Sequence, residues 1–132
     1  VSNHSKLVSE GATLGHITAE NSTIILKPGT VIKNFLRLYQ GKLEMADTRT
    51  ENIIILDRVE DASIKNTTAL AGMWLSVIVS TVSVEDSSLT GTKSKGSGWG
   101  IGVFGGDAHV HNSDVTGDMN AAYMTHTFTL GG

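Results

Sequence analysis

His109 and His111 stand two residues apart in the alternating stretch Ala108-His109-Val110-His111. In an extended strand that spacing puts both imidazoles on one face, an arrangement that can chelate a metal ion. A zinc site needs further ligands, and only His126, on a following strand, could approach. The pair is therefore expected as exposed strand histidines, with no metal and no cofactor. Trp74 and Trp99 carry the other chemistry of interest, since indole rings on the side of a strand stack can lie against sugar rings or anchor a protein partner. The competing expectation is packing at a corner of the core. Trp74, Trp99, His109 and His111 are the candidate binding residues.

Carboxylates are the candidates for catalysis, because glycoside hydrolysis needs two carboxyl groups about 5 to 10 Å apart. Asp57, Glu60 and Asp61 cluster in Leu56-Asp57-Arg58-Val59-Glu60-Asp61, and Asp107, Asp114 and Asp118 fall near the C-terminal end. The first group reads as a solvated charged loop and the second as turn residues. No Gly-x-Ser-x-Gly elbow exists to activate a serine, and Gly100-Ile101-Gly102 with Gly105-Gly106 lacks the strand-to-helix context of a nucleotide loop. Asn3-His4-Ser5, Asn21-Ser22-Thr23 and Asn66-Thr67-Thr68 match the glycosylation pattern, but are expected as turn residues. The expectation is a chain that is not an enzyme.

Such residues must be held by strands and turns. The 132-residue chain has 15 Gly, one Pro and no Cys, with abundant Val, Ile, Ser and Thr. That composition favours strands and turns over helices, and rules out disulfides, thiolate metal sites and cysteine nucleophiles. Helix-like patches near Ala69–Leu75 and Asp118–Met124 are weak and read as strand or turn. Ten Lys and Arg against 13 Asp and Glu give a net charge of -3, with no basic footprint for nucleic acid or anionic membrane. No apolar run is long enough for a membrane span, and the length suits one domain, 1–132, read as a processed part or fragment of a larger protein.

A repeat decides the fold. Val84-Glu85-Asp86-Ser87-Ser88-Leu89-Thr90-Gly91 matches Val110-His111-Asn112-Ser113-Asp114-Val115-Thr116-Gly117 at an offset of 26, and Val103-Phe104-Gly105-Gly106 matches Thr129-Leu130-Gly131-Gly132 at the same offset. Ile64 aligns with Val84 at 20, Met45 with Ile64 at 19, and Ala19 with Met45 at 26. Each copy carries Asn or Asp followed by Ser or Thr, at Asn21, Asp47, Asn66, Asp86 and Asn112, where a side chain that tolerates left-handed backbone turns the chain. Apolar residues precede the turn (Ile17, Leu43, Ala62, Val82, Ala108, then Ala19, Met45, Ile64, Val84, Val110), and Ile24, Thr50, Ala69, Leu89 and Val115 resume the inward face. A strand pattern that cannot bury its own face must stack, so the expected fold is all-β, a right-handed parallel β-helix of about five coils, on the order of 20 to 25 Å long. An antiparallel sandwich is the runner-up. The five turn residues should lie in register along one corner. Lys65, Glu85 and His111 should form an outward ladder with a Lys65–Glu85 pair. Val1 to Ala12 should cap one end, and the last strand, with Phe128 and Leu130, should be prone to end-to-end self-association.

The segment Gly100 to Gly117, with its earlier copy Ser80 to Gly91, resembles the repeats of pertactin-like autotransporter passenger domains, and the likeness spreads over Ile17 to Gly132. The resemblance implies a bacterial cell-surface or secreted β-helix acting in adhesion, its partner a host or neighbouring-cell surface protein or glycan. The chain lacks the Arg-Gly-Asp tripeptide, the proline-rich loop and the membrane-barrel segment of fuller members. Phage tailspikes and pectin-active enzymes share the architecture, so a carbohydrate-active β-helix and a purely structural spacer are the alternative functions.

Overall fold

The computed structural model describes residues 5–70, 73–76, 81–90, 99–104, 107–116, 119–123 and 127–131, and all of its regular structure is parallel β-strand. The chain opens with β1 (Lys6–Glu10), β2 (Thr13–Leu14), β3 (Ile17–Lys27), β4 (Val31–Ile32), β5 (Leu36–Ala46), β6 (Arg49–Thr50), β7 (Ile54–Lys65) and β8 (Thr68–Ala69). These make four contiguous coils, each a long strand followed by a short one. The stack continues through β9 (Met73–Ser76), β10 (Thr81–Glu85), β11 (Ser88–Thr90), β12 (Trp99–Phe104), β13 (Asp107–His111), β14 (Asp114–Thr116), β15 (Met119–Tyr123) and β16 (Thr127–Gly131). The long strands join one ten-stranded sheet along β1-β3-β5-β7-β10-β13-β16, with β9, β12 and β15 extending its first half. The short strands form a second sheet in the order β2-β4-β6-β8-β11-β14. The molecule is a parallel β-solenoid, as its repeat implies, and both helix-like patches contribute strands.

Alternation supplies the core. Along β3, β5 and β7 inward residues are buried and outward ones lie partly or fully in solvent. Parallel register then stacks each inward residue on its equivalent. Leu26, Met45, Ile64, Val84 and Val110 form one column, and Ile24, Leu43, Ala62 and Val82 another, every member at most 2% exposed. Each Val, Leu, Ile or Met side chain among them contributes about 1.5 to 3 kcal/mol by leaving water. Ile32, Thr50, Ala69 and Leu89 line the second sheet from inside.

Two kinds of corner bend each coil. Asp47, Asn66, Asp86 and Asn112 have φ between 46° and 52° and stack in register, as the repeat predicts. The backbone ladder runs through this corner unbroken, with Asp47 N donating to Lys65 O, Asn66 N to Glu85 O and Asp86 N to His111 O. Asn66 Nδ2 donates to the Asp47 carboxylate, and Asn112 Nδ2 to that of Asp86 at 2.5 Å. Asx residues suit the position because their short polar side chains tolerate left-handed backbone and bond locally.

Asn21 does not belong to that row. It heads a second left-handed column with Gln40 (φ 58°) and Arg58 (φ 56°), halfway along the long strands. The true partner of Asp47 one coil earlier is the Lys27-Pro28-Gly29-Thr30 turn, where Gly29 (φ 88°) supplies the left-handed step and its N–H reaches Asp47 O. Ile17 and Ala19 accordingly stack on Leu36 and Leu38 rather than on Leu43 and Met45, and Ile32, not Ile24, pairs with Thr50. The early coils are 17 to 19 residues long, so the stack starts earlier, with shorter coils, than the expected set of about five. The last coil returns after 19 to 20 residues, with Val103 beside Ala122 and Ala108 beside Phe128, not after 26. Lys6–Glu10 is an ordinary rung paired with β3 and not a cap, and Val8 on it is 48% exposed. Lys65 and Glu85 are cross-strand neighbours without an ion pair; the surface pairs among the described residues join Glu51 to Lys33 and Arg49.

At the second corner Gly41 adopts φ 119°, and a Cβ there would lie 2.0 Å from Ser22 O. Backbone strain and overpacking both oppose a side chain, so Gly41→Ala should cost about 3 kcal/mol in a denaturant titration. Gly15→Ala, where a Cβ meets nothing within 4 Å, should leave the midpoint unchanged. At the Asx corner, Asn66→Asp would place three carboxylates on successive rungs and remove an amide donor, costing about 1 kcal/mol at low ionic strength. Urea titrations at low and high salt should show the loss shrinking with salt.

Candidate functional site

The Asx corner also builds a strongly polar concavity. An open groove of about 530 Å³ is lined by three successive copies of one tripeptide, Asn66-Thr67-Thr68, Asp86-Ser87-Ser88 and Asn112-Ser113-Asp114. Within each tripeptide the three residues have different tasks. The first makes the left-handed turn and faces solvent.

The second points inward and carries a hydroxyl. Thr67 Oγ1 donates to Lys65 O at 2.9 Å, Ser87 Oγ to Glu85 O at 2.8 Å and Ser113 Oγ to His111 O at 2.9 Å. The same oxygens accept from the coil before: Thr67 N reaches Ser87 Oγ at 3.1 Å and Ser87 N reaches Ser113 Oγ at 3.0 Å. Because the Thr67 hydroxyl proton is directed at Lys65 O, Thr48, 3.1 Å away, is the donor of the Thr48–Thr67 contact. Thr67 and Ser87 are 1% and 5% exposed, and their backbone N–H groups would be orphaned without these hydroxyls.

The third residue begins the short strand and points out. Thr68, Ser88 and Asp114 stack in register on β8, β11 and β14, and their side chains make no hydrogen bond to the described residues. They leave a row of unused polar groups one rung apart beside the Asx row. Arg49 occupies the same row one coil earlier and approaches Glu51 to 3.9 Å.

The residues singled out from sequence lie elsewhere. His109 and His111 are exposed on the outward face of β13, beside Ser83 and Glu85. No group of three potential metal ligands assembles among the described residues, and His126 lies outside them. Trp74 on β9 is in register with Ile55 and Gly102, and Trp99 on β12 with Met119, so the two positions do not share a row. Asp57 sits beside Tyr39, half-buried, with Oδ1 out of contact with solvent and with hydrogen-bond donors. The Arg58 corner separates it from Asp61, which is exposed beside Lys42; Glu60, also exposed, is the extra residue of a bulge. Asp107 opens β13 and Asp114 joins the groove, while Asp118 lies outside the described residues.

Two surface pairings escaped the sequence reading. Arg58 Nη1 donates to Tyr39 Oη at 2.6 Å across adjacent coils, and His16 stacks on Phe35 with ring centroids 5.1 Å apart. Register could have found the first, since Arg58 follows Tyr39 by 19 residues, the local coil length.

Comparison of the chain with protein-family models, curated proteins and solved structures finds no match. The architecture shown is that of a parallel β-solenoid.

The differing tasks of neighbouring serines give a direct test. Ser87→Ala should lower stability by about 1 to 3 kcal/mol, the cost of a buried donor left without its acceptor. Ser88→Ala, which removes an outward hydroxyl, should stay within about 0.5 kcal/mol. Both values come from urea titration.

Proposed function

We propose that the chain is a non-enzymatic ligand-presenting module of a bacterial surface or secreted β-helix protein, a pertactin-like passenger acting in adhesion to a host or neighbouring-cell surface protein or glycan. The observation that carries this reading is the groove, in which three copies of one turn align unused polar side chains along a stacked scaffold. Continuous backbone ladders hold each rung, so the groups are presented with little conformational freedom to lose on binding. The repeat from Ser80 to Gly117, which resembles pertactin-like passengers, supports the surface setting. The two carboxylates Asp57 and Asp61 lie on either side of a corner, and the reading gives them no catalytic step.

Titration of labelled protein onto host-cell monolayers should give saturable, competable binding, with no release of reducing ends from host glycans. Glycan turnover that disappears in Asp57→Asn would move the assignment to a carbohydrate-active enzyme. Non-saturable background binding alone would leave a structural spacer.

A further inference from the structure

We infer that the Asx-corner groove binds an uncharged, hydroxyl-rich polysaccharide strand lying along the stack, one sugar residue per rung. The inference rests on the ligand-presenting reading and names the chemistry of the ligand.

Three features of the groove select that class. The first is its hydrogen-bonding capacity. The amide Nδ2 groups of Asn66 and Asn112 are engaged by Asp47 and Asp86, and their Oδ1 atoms are acceptors. Thr68 and Ser88 offer hydroxyls that both donate and accept, and Asp86 and Asp114 offer carboxylate oxygens. A surface of this kind is matched by a ligand carrying many hydroxyls.

The second is charge. The lining holds two carboxylates and no Lys, Arg or His, so sulfated, sialylated or uronic polymers meet repulsion with no compensating cation inside the groove. The nearest cation of the row, Arg49, approaches Glu51.

The third is period. The outward polar groups recur at the rung spacing of about 4.8 Å, close to the advance of one pyranose in an extended chain, so each successive sugar meets a polar side chain from each of the two rows. The volume of about 530 Å³ spread over three rungs accommodates a strand lying lengthwise. No aromatic ring lines the groove, so each sugar is held by hydrogen bonds alone and affinity must accumulate along the chain. Length dependence is therefore the signature.

The test is isothermal titration of the full chain with neutral N-acetylglucosamine and mannose oligosaccharides of two and six residues, and with heparin hexasaccharide. At least one neutral hexamer should bind, its dimer at least tenfold more weakly, and heparin not at all. Ser88→Arg, which fills the middle of the groove, should abolish hexamer binding, and Asp114→Ala should weaken it at least threefold. Ser63→Arg, on the outward face of β7, should bind as the parent does. Thermal melts of every variant establish folding, and Asp114→Ala, at an exposed position, decides the matter if Ser88→Arg unfolds. Failure of both neutral hexamers, heparin binding as tight as theirs, equal affinity for dimer and hexamer, or hexamer binding untouched in folded groove variants would each overturn the inference. Cell binding that persists in those variants leaves the adhesive reading standing while this one falls.

Discussion

Every feature of this molecule depends on one constraint: each coil must return to its starting direction one rung higher, with its backbone hydrogen bonds directed at the coil before and the coil after. Neighbouring strands in a parallel sheet are about 4.8 Å apart, so a side chain meets mainly its own equivalents above and below. The left-handed corner residues are how the chain complies. At Asp47, Asn66 and Asp86 the bend is made while the main-chain N–H still reaches the next coil, so turning and stacking do not compete. The inward hydroxyls of Thr67, Ser87 and Ser113 complete the corner, each serving its own turn and, for Ser87 and Ser113, the preceding coil as well.

Because each layer is thin, its volume must balance within itself. Ser22, Gly41 and Val59 occupy the same inward side of the second corner, and Ile24, Leu43 and Ala62 the first inward position after it. Where the corner residue is small the strand residue is large, and where Val59 fills the corner the strand contributes only Ala62. All except half-buried Gly41 are buried, and the bulge at Glu60 accompanies the exchange. Close packing explains the pairing, since an interior at crystal-like density tolerates neither two large nor two small residues there.

The same facts explain what the sequence made legible. Asp47, Asn66, Asp86 and Asn112 announce their corner because Asx residues are the ones that commonly adopt left-handed backbone, and the apolar residue two places before each marks the core. The other corner was hidden because Gln40 and Arg58 are poor advertisements for the same conformation, held there by the stack around them. Pro28-Gly29 makes the first Asx-type corner by other chemistry, so the Asx pattern at Asn21 marks a different corner. The groove was visible only in part. Its residues had been recognised as turns, but that the third of each triplet points outward and unpaired follows from burial of the second, which requires the register. The candidate binding residues, by contrast, were chosen for their chemical type, and the register distributes them over separate rows.

The Asp-Asn-Asp-Asn order along the corner has a consequence for how such a stack can grow. Each carboxylate of the first and third coils is bonded by the amide of the coil after it, so the chemical repeat along the corner is two coils although the structural repeat is one. Copying a single coil within this row would set acid beside acid or amide beside amide, whereas copying a pair preserves the alternation. Parity thus constrains how the corner can be lengthened: a pair of coils fits the row and a single coil does not.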